Sequence, residues 1–257
     1  MQKTFGEGIE AYNRGDYQIA CSIIRPLAED GSPEAQNQLG LMHYNGQGVQ
    51  QDYSAAMRWY RKAAEQGNAD AQNNLGLMYY NGIVVEQDFA EAVKWYRKAA
   101  DQGLANALNN LGHMYKYGQD LPQDYAEAVK CYRKAAEQGI DFAQFNLGAM
   151  YYNGLGVPQD YAEAAKWYMK ASEHGFAPAQ AVLGLLYSTG KGLSQDNVLA
   201  YMWFHIAAGR LPARGQVTRE KAVANRDLVA SKMTPEQIAE AERLAKEWKP
   251  AKDPPKK

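Results

Sequence analysis

A repeat of 36 residues constrains this chain more than any other feature of its sequence. The pattern Ala-x3-Leu-Gly-x-Met begins at Ala35, Ala71, Ala107 and Ala143, and it recurs at Ala179 with Leu in place of Met. Five repeats therefore occupy residues 32–67, 68–103, 104–139, 140–175 and 176–211. A fixed period of this length is typical of arrays in which each unit buries its apolar face against its neighbours.

Each repeat predicts a pair of α-helices. In the first repeat, Ser32 and Pro33 are a favourable N-cap and first helical residue, and Gly46 is a favourable C-cap, so we expect a helix over residues 33–45. Asp52 is expected to cap a second helix that stops at Gly67. The residues of these helices expected to face inward are Ala35, Leu39, Met42, His43, Ala56, Trp59, Tyr60 and Ala63.

Three further features of the repeats predict local structure. A Glu stands three residues after the capping Asp in the middle repeats, at Glu91, Glu127 and Glu163, which indicates capping boxes. Every first helix also carries a glycine at its centre, where it costs about 1 kcal/mol relative to Ala. We expect the missing side chain to let the neighbouring helix approach closely. The glycines are at positions 40, 76, 112, 148 and 184.

The ends of the chain depart from the period. We expect residues 1–31 to be an N-terminal capping partial repeat, 212–249 to hold C-terminal capping helices, and 250–257 to be a disordered tail. The first of the C-terminal helices is expected from about 218 to 232. The second begins after Thr234 and ends near Trp248. The predicted fold is an all-α, right-handed α/α superhelical solenoid of five 36-residue helix-hairpin repeats with a cap at each end.

The motif of the second repeat resembles the Sel1-like repeat, a bacterial relative of the tetratricopeptide repeat. The resemblance lies in Ala-x3-Leu-Gly-x-Met-Tyr from Ala71 and in Trp-Tyr-x-Lys-Ala-Ala-x-Gln-Gly from Trp95, and it extends over all five repeats. The run from Met233 to Ala239 is similar to the ends of bacterial members. The resemblance implies an adaptor or scaffold in protein complexes, in some members at the cell envelope, in signalling, in host contact or in neutralising a toxin.

One branch of that family implies a different ligand. Its members carry a regularly spaced cysteine pair in each repeat and are linked to β-lactam binding. This chain has only Cys21 and Cys131, which lie three repeats apart and are expected to be free thiols. The alternative function is the binding or hydrolysis of β-lactams or cell-wall peptides.

Composition and charge exclude other classes of function. The chain has 28 Lys and Arg against 29 Asp and Glu, and no basic run interleaves with aromatic residues, so we expect no nucleic-acid partner. No apolar run reaches 18 residues, which predicts no transmembrane segment. The first residues lack the apolar core of a signal peptide. The sequence as written predicts a cytoplasmic protein, or a periplasmic or secreted one if a signal has been removed; its oligomeric state is left open.

The sequence offers little catalytic or metal-binding chemistry. Ser188 and Lys191 fit the S-x-x-K pattern of a β-lactamase, but its partner motifs are absent, and an ordinary turn is the preferred interpretation. The four histidines are scattered without ligand spacing, and the recurrent Asp residues are explained as helix caps. We therefore expect no catalytic residues, no metal and no cofactor.

The opposite side of the first helices is the candidate binding surface. Positions equivalent to 34, 37, 41 and 44 point away from the buried side, and in related superhelices the first helices line a concave groove. An Asn recurs in three successive repeats, and amide groups suit the backbone of an extended peptide, while Tyr supplies rigid contact area. The candidate partner-binding residues are Asn37, Tyr44, Asn73, Leu77, Tyr80, Asn109, His113, Lys116, Phe145 and Tyr152.

This stripe changes along the chain from polar and acidic to aromatic and apolar. We interpret it as one asymmetric site for a protein or peptide. The predicted function is thus a non-enzymatic protein–protein interaction module.

Overall fold

The computed structural model describes residues 4–211 and 216–251. In the second range it describes side chains from residue 219 onward. Over these residues it contains fourteen α-helices and no strand. The chain forms two compact units, an N-terminal unit (Met1–Gln123) and a C-terminal unit (Asp124–Lys257). None of the helices in the described ranges combines the length and the apolar character needed to cross a bilayer. The expected tail lies largely outside the described residues.

The N-terminal unit contains seven helices, in which consecutive helices pack against each other. Residues 5–31, expected to be a partial repeat, form a two-helix hairpin of their own; their role as a cap remains a prediction. The helices are α1 (Phe5–Asn13), α2 (Tyr17–Glu29), α3 (Pro33–Asn45), α4 (Tyr53–Glu65), α5 (Ala69–Asn81), α6 (Phe89–Asp101) and α7 (Ala105–Tyr117).

The C-terminal unit continues the same alternation and ends in two helices outside the period. Both of these, α13 (Gln216–Ala230) and α14 (Pro235–Glu247), pack on α12 (Asn197–Arg210). There Tyr201 donates a hydrogen bond to Glu242, and Trp203 contacts Trp248 edge-on. The helices are α8 (Tyr125–Glu137), α9 (Asp141–Asn153), α10 (Tyr161–Glu173), α11 (Ala177–Thr189), α12 (Asn197–Arg210), α13 (Gln216–Ala230) and α14 (Pro235–Glu247).

The predicted helix caps are largely confirmed. Ser32 accepts a hydrogen bond from the Ala35 amide, Gly46 ends α3 in the left-handed region at φ 71°, and Asp52 accepts from the Ala55 amide. Each of the other second helices is capped by the equivalent Asp. Thr234 and Gln237 form the expected capping box at α14.

Only one of the two hydrogen bonds expected in each capping box of the repeats is present. Asp88 accepts from the Glu91 amide as expected, but the Glu91 carboxylate accepts from Lys94 one turn later. The equivalent Glu127 and Glu163 likewise pair with lysines. The carboxylate is therefore used on the exposed helix surface, where a cation three residues away is within reach.

The central glycines let the two helices of one repeat approach closely. A Cβ added at Gly76 would lie 2.7 Å from Cε1 of Tyr96 and 3.3 Å from the Ala92 carbonyl oxygen. Gly40 has the same relation to Tyr60, and Gly184 to Phe204. Because these rings are almost fully buried, they form the floor between the helices of each hairpin.

The tryptophan column differs between the two units. Trp59, expected to face inward, is only half-buried, and the Lys62 ammonium lies 4.4 Å from the centre of its ring. The equivalent Trp167 and Trp203 of the C-terminal unit are buried. Cys131 occupies the same column and is also buried, with a free thiol whose pKa burial raises to about 11.

Candidate functional site

The first helices of the N-terminal unit, α3, α5 and α7, bury one side and present the other. Ala35, Leu39 and Met42 of α3 are fully buried, whereas Leu41 and Tyr44 are half-exposed. We call the half-exposed side of α3, α5 and α7 the first-helix face of the N-terminal unit. Eight of the ten candidate residues lie on these three helices, and the other two lie on α9 of the C-terminal unit.

Asn73 does not have the exposure expected of a partner-binding side chain. It is 6% exposed, and its side-chain oxygen accepts a hydrogen bond of 2.9 Å from the Asn110 amide of the next repeat. One repeat earlier, Asn37 accepts from Asn74 at 3.1 Å. The asparagines therefore connect successive first helices, and the prediction of an exposed Asn at position 73 is wrong.

The sequence alone does not reveal this ladder. The donors Asn74 and Asn110 stand 37 residues after their acceptors, one residue more than the repeat. A helical wheel drawn for one helix cannot show that the next repeat covers part of its outer side. Asn109, beside the donor Asn110, remains half-buried and lines a pocket.

The candidate tyrosines are held in place by rings at the start of the following helix. The Tyr44 and Tyr53 rings meet edge-on with centroids 5.0 Å apart, and Tyr80 meets Phe89 at 5.3 Å. Contacts of this kind fix the side-chain conformation. A partner would meet rings that are already ordered, which lowers the entropy cost of binding.

Two pockets open on this face, one repeat apart. The upstream pocket, between α3 and α5, has a volume of about 160 Å³, and the downstream pocket, between α5 and α7, has about 150 Å³. Five lining positions are equivalent in the two. They are Leu41, Tyr44, Tyr60, Asn74 and Leu77 upstream and Leu77, Tyr80, Tyr96, Asn110 and His113 downstream.

The two pockets differ at one wall. Leu77 closes the upstream pocket, and His113 takes the equivalent place downstream, with its ring 6.1 Å from that of Tyr80 and 4.4 Å from that of Tyr117. Burial lowers the pKa of His113, the side chain of Gln119 opposes this by a smaller amount, and the Lys116 charge adds a further small lowering. An imidazole brings hydrogen-bonding nitrogens to a wall that is purely apolar in the upstream pocket. The Lys116 ammonium lies 5.0 Å from the centre of the Tyr117 ring.

In the C-terminal unit, three of the four equivalent positions on α9 are aromatic. Phe145 packs against Tyr168 and Phe176, with ring centroids 5.5 and 5.6 Å away. Phe142 also contacts Phe176. Its side chain is 63% exposed, the highest value among the large apolar side chains of the described residues. Tyr152 meets Tyr161 edge-on at 5.0 Å.

Lys191 lies beside these rings. Its ammonium is 5.7 Å from the centre of the Tyr152 ring and 5.1 Å from that of Tyr161. Sequence reasoning considered Lys191 as a partner of Ser188 and did not place it on this surface. Ser188 itself donates its hydroxyl proton to the Leu185 carbonyl oxygen at 2.9 Å.

The remaining candidate sites are explained by structure. Within the described ranges, no three His, Cys, Asp or Glu residues are grouped to hold a metal ion. His43 occupies a column that elsewhere holds Tyr, and burial, followed by the Arg25 charge, lowers its pKa. In later repeats the equivalent Tyr79 accepts a 2.7 Å hydrogen bond from Arg61.

Comparison with known proteins identifies the repeat. The Sel1 repeat model matches residues 33–68, 69–104, 105–140, 141–176 and 177–209. A Sel1 repeat protein from Oxalobacter formigenes is 32% identical, with a TM-score of 0.79 over 96% of this chain and 100% of that one. No curated protein matches the chain.

Two other solved structures share the fold. The protective antigen c5321 of uropathogenic Escherichia coli strains is 30% identical, with a TM-score of 0.60 over 95% of this chain and 59% of that one. The immunity protein Pa5087 from Pseudomonas aeruginosa is 18% identical, with a TM-score of 0.51 over 91% of this chain and 87% of that one, a similarity of fold alone.

Proposed function

We propose that this chain, which belongs to the Sel1 repeat family, is a non-enzymatic module that binds a protein or peptide on the exposed side of its first helices. Proteins of this family are protein-interaction modules, and the fold is typically a non-enzymatic scaffold. The observation that carries the proposal is the pair of equivalent pockets between successive first helices. Both combine apolar walls, ordered tyrosine rings and side-chain amides.

The chemistry of this surface favours a polypeptide partner. Tyrosine presents a large apolar ring with a polar tip and is enriched at interface hot spots. The exposed Phe142 and its ring neighbours add an apolar area of the kind that marks interaction sites in soluble proteins. We include a toxin among the partners of this class, because the fold also occurs in an immunity protein. The family resemblance also implies adaptors at the cell envelope.

Hydrolysis of β-lactams is not favoured by the contacts of its two candidate residues. The Ser188 hydroxyl donates to a backbone carbonyl, and the Lys191 ammonium lies over two tyrosine rings. A serine nucleophile needs a base that accepts its proton. Neither contact supplies that arrangement.

Site-specific photo-crosslinking tests the proposal. Benzoylphenylalanine replaces Leu41 in the N-terminal unit or Phe142 in the C-terminal unit, and in matched controls it replaces the exposed Arg58 or Lys166 of the second helices. We expect a discrete crosslinked protein, in extract of the producing cells, from Leu41 or Phe142 and not from the controls. Adducts formed only at Arg58 or Lys166, or none at any position, would contradict the proposal.

A further inference from the structure

Arginines of the second helices donate hydrogen bonds to a tyrosine that stands 18 residues later in the chain. The pairs are Arg61 with Tyr79 at 2.7 Å, Arg97 with Tyr115, and Arg133 with Tyr151. Arg25 on α2 is the equivalent arginine of the N-terminal hairpin, and His43 stands 18 residues after it. The phenol hydroxyl that accepts in the later repeats is therefore missing for Arg25.

His43 does not replace this hydroxyl as an acceptor for Arg25. Within the described residues, the hydrogen bond of the Arg25 side chain goes to the Cys21 sulfur, at 3.7 Å, and sulfur is a weak acceptor. The Nδ1 atom of His43 is buried, and it has no hydrogen-bond partner there either. A guanidinium has five N–H donors, so Arg25 keeps most of its donors for a ligand.

A second cation of the first repeat lacks the partner that its equivalents have. Lys94, Lys130 and Lys166 each form an ion pair with a Glu three residues earlier. Arg58 is the equivalent cation, but Ala55 stands three residues before it. In the part of the chain that the structure describes, Arg58 forms no ion pair. The first repeat therefore carries positive charge that the later repeats neutralise internally.

A pocket with a volume of about 530 Å³ lies beside Arg25. It is lined by Arg25, His43 and the loop residues 48–52 between α3 and α4. Asp52 is the acidic residue among them, and one of its oxygens accepts from the Ala55 amide. Arg58 is not among the lining residues. We call this pocket the Arg25 pocket; it shares no lining residue with the two pockets of the first-helix face.

The charges around the Arg25 pocket favour a singly charged anion. Burial lowers the pKa of His43, and the charges of Arg25 and Arg58 lower it further, while Asp52 and a hydrogen bond to the Gln50 backbone raise it. With His43 neutral, two guanidinium groups and one carboxylate leave a net charge of +1. A carboxylate balances this charge, whereas a phosphate monoester, with a charge of about −1.5 to −2, exceeds it.

A carboxylate also matches Arg25 in shape. The guanidinium is planar, and two of its parallel N–H groups fit the two oxygens of a carboxylate. Such charge-assisted hydrogen bonds are about twice as strong as those between neutral groups.

We propose that the Arg25 pocket binds a carboxylate group, which takes the role that the tyrosine hydroxyl has for the arginines of the later repeats. The carboxylate belongs to an acidic side chain of a polypeptide or to a small organic acid. This inference goes beyond the proposed function, because it assigns a charged ligand to a different pocket.

Nuclear magnetic resonance titrations of the full chain test the inference. The probes are sodium propionate, the peptide Ac-Gly-Glu-Gly-NH2 and its counterpart with Gln in place of Glu, all at constant ionic strength. We expect the Nε–H signal of Arg25 and the Cε1–H signal of His43 to shift saturably with both carboxylates and not with the Gln peptide. The Nε–H signal of Arg61, whose acceptor is Tyr79, should not shift.

The order of affinities identifies the source of the carboxylate. Tighter binding of the Glu peptide than of propionate would assign it to a polypeptide, and the reverse order would assign it to a free acid. Binding of Ac-Gly-phosphoserine-Gly-NH2 more than about tenfold tighter than the Glu peptide would overturn the choice of a carboxylate.

Matched variants separate the pocket from the overall charge of the protein. Arg25→Gln and Arg61→Gln each remove one exposed guanidinium, so they change the net charge equally. Arg25→Gln should weaken binding at least about tenfold, as expected on loss of a charged hydrogen bond, and Arg61→Gln should leave it unchanged.

A third variant keeps both arginines and still removes the site. His43→Tyr supplies the hydroxyl that the later repeats have, so it should engage Arg25 and weaken carboxylate binding at least about tenfold. Binding is followed at the Arg25 signal in this variant and at the His43 signal in Arg25→Gln. Circular dichroism checks that every variant keeps its helices.

Four further results would overturn the inference. They are equal shifts at Arg25 and Arg61, equal affinity for the Glu and Gln peptides, equal effects of the two Gln variants, and no saturable shift with either carboxylate. None of them bears on the proposed function, because Leu41 and Phe142, the crosslinking positions, do not line this pocket.

Discussion

We expect Gly76→Ala to lack the stabilising effect that this substitution usually has in a helix. In the middle of an exposed helix, replacing Gly by Ala stabilises a protein by about 1 kcal/mol. At Gly76 the new methyl carbon would lie 2.7 Å from Cε1 and 2.8 Å from Cδ1 of Tyr96. Carbon atoms in normal contact are about 3.5–4.0 Å apart, so the overlap approaches 1 Å.

The ring cannot move away at low cost. Tyr96 is 1% exposed, and the added methyl would also lie 3.3 Å from the Ala92 carbonyl oxygen of the same helix. Overpacking of this kind costs about 1–3 kcal/mol, and subtracting the gain of about 1 kcal/mol in helix propensity leaves a net loss of about 0–2 kcal/mol in the free energy of unfolding.

Urea denaturation followed by far-UV circular dichroism measures the effect. Gly209→Ala is the control, because Gly209 is also helical but has no atom within 4 Å of the added carbon. We expect the control to be neutral or to stabilise by up to about 1 kcal/mol. A Gly76→Ala protein more stable than the wild type would refute the packing argument.

A double variant isolates the contact. Tyr96→Leu removes the ring atoms that the methyl would overlap. In that background Gly76→Ala should lose its cost, and the difference between the two backgrounds measures the coupling of the two sites. An unchanged cost would assign the effect to the backbone of α5 instead of to the ring.

Two further predictions concern the contacts between repeats. The lowered pKa of His43 means that the unfolded chain takes up its proton first, so stability should fall as the pH drops below about 6.5 towards the pKa of the folded state. His43→Tyr should reduce this loss of stability and should add a hydrogen bond from Arg25 like that from Arg61 to Tyr79. Part of the loss should remain, because the pKa of His113 is also lowered. Urea midpoints at several pH values test this, and an unchanged dependence of stability on pH would contradict it. Asn110→Ala should lower the free energy of unfolding by about 1–3 kcal/mol, because the buried Asn73 oxygen loses the donor of its hydrogen bond. The control Asn106→Ala changes an exposed residue and should cost less than about 0.5 kcal/mol. Equal denaturation midpoints for the two variants would contradict the role of the ladder.

Positions that recur in every repeat were predictable from the sequence. The capping Asp, the C-cap glycine and the central glycine each answer a local requirement that the 36-residue period repeats. The bounds of α3 agree with the prediction for this reason, and α13 begins two residues before its expected start because no repeat defines it. What the sequence could not show is which outward positions the next repeat covers, as at Asn73.

The two pockets show which of their residues follow from the repeat and which do not. Their floor positions, Tyr60 and Tyr96, correspond to Tyr132, Tyr168 and Phe204, so a large ring is kept in every repeat, and the central glycine contacts that floor directly at Gly40 and Gly76. The wall position instead changes from Leu41 and Leu77 to His113, Ala149 and Leu185. Packing within the hairpin requires the floor, whereas the half-exposed wall is free to vary without loss of the fold. We therefore expect the wall residues to be the positions at which successive repeats differ in the partner side chains that they bind.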